Sequence, residues 1–193
     1  GCVDTPSSGT LLFSGQDVTR LSDRDRSLLR LRQIGFVFQR FFLLPMLSAW
    51  ENVELPQAEL GTGVAERRRR TAELLEYVGL KGVKTHSGGF SRGMKQRLGL
   101  AQALINDPQV IFMDEPTTAL DVVTQREIVS ELYELRQRLG FAMIFITHDL
   151  SLLVELADEI MVMYAGRIVE RAPASDLHGA PRHPYTLGLM ESF

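Results

Sequence analysis

Two adjacent carboxylates follow an apolar run near the middle of the chain. Residues 110–115 are Val-Ile-Phe-Met-Asp-Glu, and a buried strand of a parallel sheet has this continuous apolar pattern. Ligands of open α/β sheets bind beyond the carboxyl ends of the strands. Asp114 is therefore placed where a metal ion could be held, and Glu115 where a water molecule could be oriented. The alternative is that a strand ending in two acids simply enters a turn.

Two further polar side chains follow apolar runs of the same kind. Gln39 comes just after the predicted strand 34–38, and His148 follows the predicted strand 142–146. Taken alone, a glutamine after a strand indicates nothing, and a lone histidine in this place is more often a cap for the next helix. Both residues gain meaning only together with Asp114 and Glu115.

A helix start provides a candidate anion site. Ser91 is a favourable N-cap, and apolar residues recur behind it at helical spacing, at Met94, Leu98, Ala101 and Ile105. The first N–H groups of a helix have no intrahelical partner, and the helix dipole favours negative charge there. The helix start at Ser91 is therefore a possible anion site.

The elements that position these residues alternate between strand and helix. Runs rich in Val, Ile and Phe predict strands at residues 10–13, 34–38, 110–113, 142–146 and 160–164, and residues 160–169 predict a hairpin with a turn at Ala165-Gly166. This alternation is typical of an α/β domain with a mainly parallel sheet. Past Arg171, several prolines predict a tail of loop and short helices.

The stretch between Phe38 and Val110 has helix signals and no convincing strand. Ser48 and Glu51 have capping-box spacing, residues 64–78 carry charge on one side and leucines on the other, and Ser91 opens the third helix. A helical insert is therefore expected to interrupt the α/β domain.

Composition excludes some classes of function. The net charge is −3 with both signs interspersed, so nucleic acid is not an expected partner, and the short basic run at residues 66–70 is better explained as a solvated helix face. No apolar stretch approaches the roughly 20 residues that cross a bilayer. The single cysteine, Cys2, allows no internal disulfide.

Three motifs in order resemble the ABC-type ATPases: FSRGMKQR, then DEPTTALD, then ITHD about 30 residues later. The resemblance covers essentially the whole chain. It implies a P-loop NTPase-type α/β fold with an inserted helical subdomain, ATP and Mg²⁺ as cofactors, and ATP hydrolysis coupled to transport. It also implies a second ATPase subunit, identical or different, transmembrane permease subunits, and a peripheral place on the cytoplasmic face of the cell membrane.

The same resemblance assigns roles to single residues. Asp114 matches the Walker B aspartate that holds Mg²⁺, Glu115 the catalytic glutamate, His148 the switch histidine, and Gln39 the glutamine that reaches the metal and the attacking water. Residues Ser91, Arg92, Gly93 and Met94 match the signature motif, which binds the γ-phosphate held by the partner subunit. Arg92 stands where glycine is commonest and is taken as a family variant. Asp121 matches an aspartate that crosses the dimer interface.

The 193 residues contain no G-x-x-x-x-G-K-[ST] motif, the loop that cradles nucleotide phosphates. The opening GCVDTPSSGTLLFSGQDV resembles the segment that follows this loop in the family. We therefore expect truncation before residue 1, with the first strand and the P-loop missing, and no ATP hydrolysis by the 193 residues alone. The alternatives are a soluble, non-transport ABC-type ATPase and a catalytically inactive fragment.

The resemblance also sets domain limits and a first idea of cargo. Residues 1–39 and 106–172 are expected to form the ATPase core, 40–105 the helical subdomain and 173–193 a C-terminal tail. GFVFQRFFLLPMLSAWENVELP resembles lipoprotein-release and macrolide-export ATPases, whereas DEPTTALDVVTQ and RHPYTLGLMES resemble dipeptide and oligopeptide importers. Between these two kinds of transport system, peptide import is narrowly favoured.

Overall fold

The computed structural model describes residues 1–118 and 120–191, apart from the side chains of Ser151 and His178. Ala119 of the DEPTTALD run and the last two residues of the predicted tail lie outside the described residues. The chain divides into two units, residues 1–144 and 145–193. Each unit is described by itself.

The first unit contains the predicted strands 34–38 and 110–113 and the predicted helical stretch between them. Its elements are β1 (Leu12–Phe13), β2 (Gln16–Asp17), α1 (Asp23–Gln33), β3 (Ile34–Val37), α2 (Ala49–Glu59), α3 (Val64–Tyr77), a 3₁₀ turn (Ser87–Gly89), α4 (Arg92–Leu104), β4 (Val110–Asp114), α5 (Val122–Leu139) and the first residues of β5 (Ala142–Ile146).

The main sheet has the order β3-β4-β5. Strands β3 and β4 are parallel, with Ile34 opposite Val110 and Val37 opposite Met113. Ile111 and Met113 are fully buried, as the apolar run predicts. Helix α4 packs against β3, and the mainly apolar stripe predicted for it is confirmed at Leu98, Ala101 and Ile105.

Polar side chains fix the starts of several helices. Ser48 and Glu51 form a reciprocal capping box on α2, as predicted, and Ser91 caps α4. Asp121 caps α5, which ends at Gly140 in the left-handed conformation at φ 72°. Among the described residues 39–109, the β-structure consists of one isolated bridge between Ser48 and His86, so the predicted helical stretch is confirmed.

One prediction at the N-terminal end was inaccurate, and one helix there was not predicted. The predicted strand 10–13 is reduced to Leu12–Phe13, because Ser14 and Gly15 take positive φ values and turn the chain back into β2. Helix α1 was not predicted, since its sequence DRDRSLLRLRQ is highly charged and buries only Leu29.

The second unit contains the end of β5 and then α6 (Leu150–Leu156), β6 (Glu159–Tyr164), β7 (Arg167–Pro173), α7 (Ala174–Gly179) and α8 (Pro184–Glu191). The predicted hairpin is confirmed, and both of its turn residues, Ala165 and Gly166, have positive φ. Strand β7 extends past the predicted end at Val169, because its backbone pairing with β6 continues to Pro173, which lies opposite Glu159. None of the helices in the described part of the chain has the length and apolarity needed to cross a membrane.

Gly35 of β3 permits the close packing of α4. A Cβ at this position would lie 2.7 Å from the carbonyl oxygen of Ala103 and 3.1 Å from Cγ1 of Ile111. We expect Gly35→Ala to lower the free energy of unfolding by about 1–3 kcal/mol through overpacking. Urea denaturation measures this change.

Gly99→Ala is the matched control, because the Cβ it would add to α4 meets no atom within 4 Å other than those of its own stretch of helix. A helical alanine is expected to raise the free energy of unfolding by about 0.5–1 kcal/mol. Equal stabilities of the two variants would contradict this account of the β3–α4 contact.

Candidate functional site

The carboxyl ends of β3 and β4 lie at the same edge of the sheet. The two strands run parallel in a register that places Val37 opposite Met113. Asp114 is the last residue of β4, Glu115 follows it, and Gln39 comes two residues after the end of β3. Asp114 and Gln39 are exposed, whereas Glu115 is half-buried. The register thus brings three of the predicted site residues to one edge.

Glu115 has an unusual backbone conformation. Its φ is 48°, in the left-handed region that residues other than glycine seldom adopt. Its carboxylate accepts a hydrogen bond from the Thr118 hydroxyl at 2.7 Å, and its carbonyl accepts one from the Thr118 N–H at 3.2 Å. The acids therefore do enter a turn, as the alternative expects. The turn also holds Glu115 in a strained conformation of the kind that clusters at functional sites.

The donors at this edge suit a magnesium ion bound together with a nucleotide. Asp114 offers carboxylate oxygens and Gln39 an amide oxygen, and Mg²⁺ prefers oxygen ligands. Within the described ranges, no group of three or more His, Cys, Asp or Glu side chains is placed to hold a metal ion. The fit is that of an ion bound by one or two protein groups, with water and phosphate oxygens as its other ligands.

The predicted signature residues occupy the start of α4. The Ser91 side chain accepts a hydrogen bond from the Met94 N–H at 3.2 Å, so Ser91 is the N-cap. Ser91 and Arg92 are exposed, and Gly93 and Met94 are half-exposed. Residues 91–94, which we call the signature turn, form the start of this 13-residue helix and are therefore accessible to an anion.

The start of α5 lies against the signature turn. A Cβ on Gly93 would meet the Thr124 methyl group at 3.0 Å. Asp121 accepts hydrogen bonds from the Thr124 N–H at 2.9 Å and from the Thr124 hydroxyl at 2.7 Å, and these two bonds lower its pKa. In this chain Asp121 serves as a helix cap, and its role at a dimer interface stays a prediction.

His148 belongs to the second unit. It lies between β5 and α6 and is exposed. The cap of α6 is the next residue, Asp149, whose carboxylate accepts from the Leu152 N–H at 3.2 Å. The capping explanation for His148 is therefore wrong, and its proposed contact with phosphate stays a prediction.

Two residues that support the site, Thr118 and Thr124, were not predicted. Thr118 holds the Glu115 carboxylate, and its three-residue spacing after an acid was the available signal. Thr124 contacts both Asp121 and the signature turn, and no local pattern shows the second contact.

Comparison with known proteins identifies the family. Residues 3–118 match the ABC transporter family. The methionine import ATP-binding protein MetN of Streptomyces griseus is 42% identical over 185 residues, which are 93% of this chain and 52% of that protein. Methionine import ATP-binding protein MetN 1 of Rhodopseudomonas palustris is 40% identical over 191 residues, 98% of this chain and 51% of that protein. The chain thus spans about half the length of these curated relatives.

Solved structures agree with the sequence match. A dimeric, post-hydrolysis structure of the ATP-binding cassette MJ0796 bound to ADP and Pi has a TM-score of 0.80 and 32% identity, covering 90% of this chain and 76% of that one. A second dimeric structure of MJ0796, described as a bacterial ABC transporter cassette, gives the same values. The predicted α/β fold of this ATPase class is confirmed. By sequence and by structure, the chain belongs to the ABC transporter family of ATP-binding cassettes.

Proposed function

We propose that this chain, when it is joined to a P-loop segment, binds and hydrolyses Mg-ATP between two cassette subunits and that this reaction drives transport through a membrane permease. The observation that carries the proposal is the register of β3 and β4, which brings Gln39, Asp114 and Glu115 to one sheet edge. Both MJ0796 structures are described as dimeric, which supports a second subunit as partner.

Each residue at the edge has a distinct task in this proposal. Asp114 and Gln39 would hold Mg²⁺, which neutralises phosphate charge when it is bound. Glu115 orients the attacking water and accepts its proton, and its own carboxylate is kept in place by Thr118. His148 belongs to the second unit, and its contact with the γ-phosphate stays a prediction from the family resemblance. Phosphoryl transfer depends mainly on such positioning and charge stabilisation.

The signature turn acts on the nucleotide of the partner subunit. Ser91 and the N–H groups at the start of α4 are accessible to an anion. Gly93 is close enough to Thr124 to fix this turn against α5. A complete site would therefore combine the sheet edge of one subunit with the signature turn of the other.

Import is the direction of transport we propose, and methionine is the first cargo to test. Four curated relatives, at 38–42% identity, are methionine import proteins. They give no support to the peptide cargo expected from the C-terminal motifs, nor to a specific likeness to lipoprotein-release ATPases. A peripheral place on the membrane is part of the same proposal.

Hydrolysis can be measured in a P-loop fusion, defined as this chain preceded by a P-loop segment of an ABC ATPase. We expect its phosphate release to require Mg²⁺. Asp114→Asn should raise the Mg²⁺ concentration for half-maximal rate by about 10-fold or more, because the amide weakens a metal contact. Hydrolysis at equal rates in EDTA and in Mg²⁺ would contradict the proposed site.

A further inference from the structure

Asn52 is a completely buried polar residue in the first turn of α2. Its side-chain NH₂ lies 3.2 Å from the Leu44 carbonyl, 3.4 Å from the Leu47 carbonyl, 3.0 Å from the Ser48 carbonyl and 3.2 Å from the Ser87 hydroxyl. Its side-chain oxygen accepts from the Leu44 N–H at 2.9 Å. One amide thus contacts two segments that are far apart in sequence.

These two segments are also joined directly. We call residues 44–48 the proline segment and residues 86–89 the glycine segment. The Ser87 N–H donates to the Leu47 carbonyl at 2.9 Å, and the Gly88 N–H donates to the Pro45 carbonyl at 3.0 Å. The Ser87 hydroxyl donates to the Leu44 carbonyl at 2.8 Å. The two segments and Asn52 are therefore joined in one hydrogen-bonded network.

Each segment leads to a residue of the proposed site. The proline segment begins five residues after Gln39, and the glycine segment ends two residues before Ser91, the N-cap of α4. Phe90, between the glycine segment and Ser91, is buried and donates its N–H to the Ser87 carbonyl at 3.2 Å. Hydrogen bonds therefore connect the proline segment to the segment that directly precedes α4.

We propose that Asn52 is a positioning residue that holds the proline and glycine segments together, so that movement on the Gln39 side displaces the signature turn of the same subunit. The inference rests on the function proposed above, in which Gln39 acts on the nucleotide of its own subunit and Ser91 on the nucleotide of the partner subunit. Buried polar networks of this kind fix one arrangement when every member is satisfied. Such a contiguous network can couple two sites physically.

Amide hydrogen exchange in the 193-residue chain tests the holding role. Asn52→Ala removes the shared amide, and we expect exchange at the Leu44, Ser87 and Gly88 N–H groups to become faster together, on the order of 10-fold. Ser87→Ala is the milder variant, since it removes only the Ser87 hydroxyl from the network. It should accelerate the same amides by a smaller factor, and it decides the test if Asn52→Ala does not fold.

Gln57→Met is the matched control. Gln57 is another buried amide of α2, but it donates to the Ile105 carbonyl at 2.9 Å and contacts neither segment in the hydrogen bonds described. Exchange at the three reporter amides should stay at the wild-type rate in this variant. Acceleration at Leu44 alone in Asn52→Ala, with Ser87 and Gly88 unchanged, would overturn the holding role.

Steady-state hydrolysis by the P-loop fusion tests the transmission, that is, whether movement on the Gln39 side displaces the signature turn. Ser87→Ala and Asn52→Ala should lower kcat about 10-fold with little change in the KM for ATP, because the signature turn is misplaced while nucleotide entry is intact. Wild-type kcat in a variant with accelerated exchange would overturn the transmission. If the unmodified fusion hydrolyses no ATP, the proposed function fails and the transmission with it, whereas the exchange data still decide the holding role.

Discussion

Glu115→Gln in the P-loop fusion is expected to reduce ATP hydrolysis on the order of 10²- to 10⁴-fold while ATP binding is retained. The amide has nearly the size of the carboxylate but cannot accept a proton from the attacking water. It can still accept the hydrogen bond that Thr118 donates at 2.7 Å, so the turn should persist. Bound ATP should therefore hold two subunits together, and an ATP-dependent dimer should accumulate.

Phosphate release and size-exclusion chromatography with ATP measure the two effects. Glu134→Gln, on an exposed part of α5, makes the same chemical change away from the sheet edge and should leave both unchanged. Turnover by Glu115→Gln at the wild-type rate would refute the assignment of Glu115 as the base.

Gly93→Asp is expected to reduce hydrolysis by the fusion on the order of 10²-fold or more, which is similar to the loss expected for Glu115→Gln. The substitution places a carboxylate at a helix start that is proposed to bind phosphate, and it adds a Cβ at 3.0 Å from the Thr124 methyl group. No ATP-dependent dimer should form. Gly93→Ala makes the steric change without the charge and should have a much smaller effect on phosphate release. Equal loss in both variants would show that packing, and not charge, explains the defect.

The sheet edge could be predicted from the sequence because its signals are local. A continuous apolar run predicts the buried strand β4, and a similar run predicts β3. Polar residues follow both runs, and because the two strands are parallel, Gln39 and Asp114 lie at the same edge of the sheet. Helix starts at Ser48 and Ser91 were predictable for the same reason, since a cap lies within three residues of its partner.

Features that depend on distant residues were not predictable from these patterns. Asn52 and Ser87 are 35 positions apart, and nothing in either neighbourhood indicates that they meet. The proximity of Gly93 to Thr124, 31 positions away, likewise comes from the packing of α4 on α5. Propensity and pattern describe single elements, whereas these features arise from contacts between elements.

Co-expression of two inactive fusions tests the central claim most directly, namely that a complete site combines the sheet edge of one subunit with the signature turn of another. A mixed dimer of Glu115→Gln and Gly93→Asp subunits has one site with both defects and one with neither. Phosphate release should therefore rise above that of either separate variant, towards about a quarter of the wild-type rate, the value that unbiased pairing in a two-fold dimer would give. Release that stays at the level of the two separate variants would contradict a site shared between subunits.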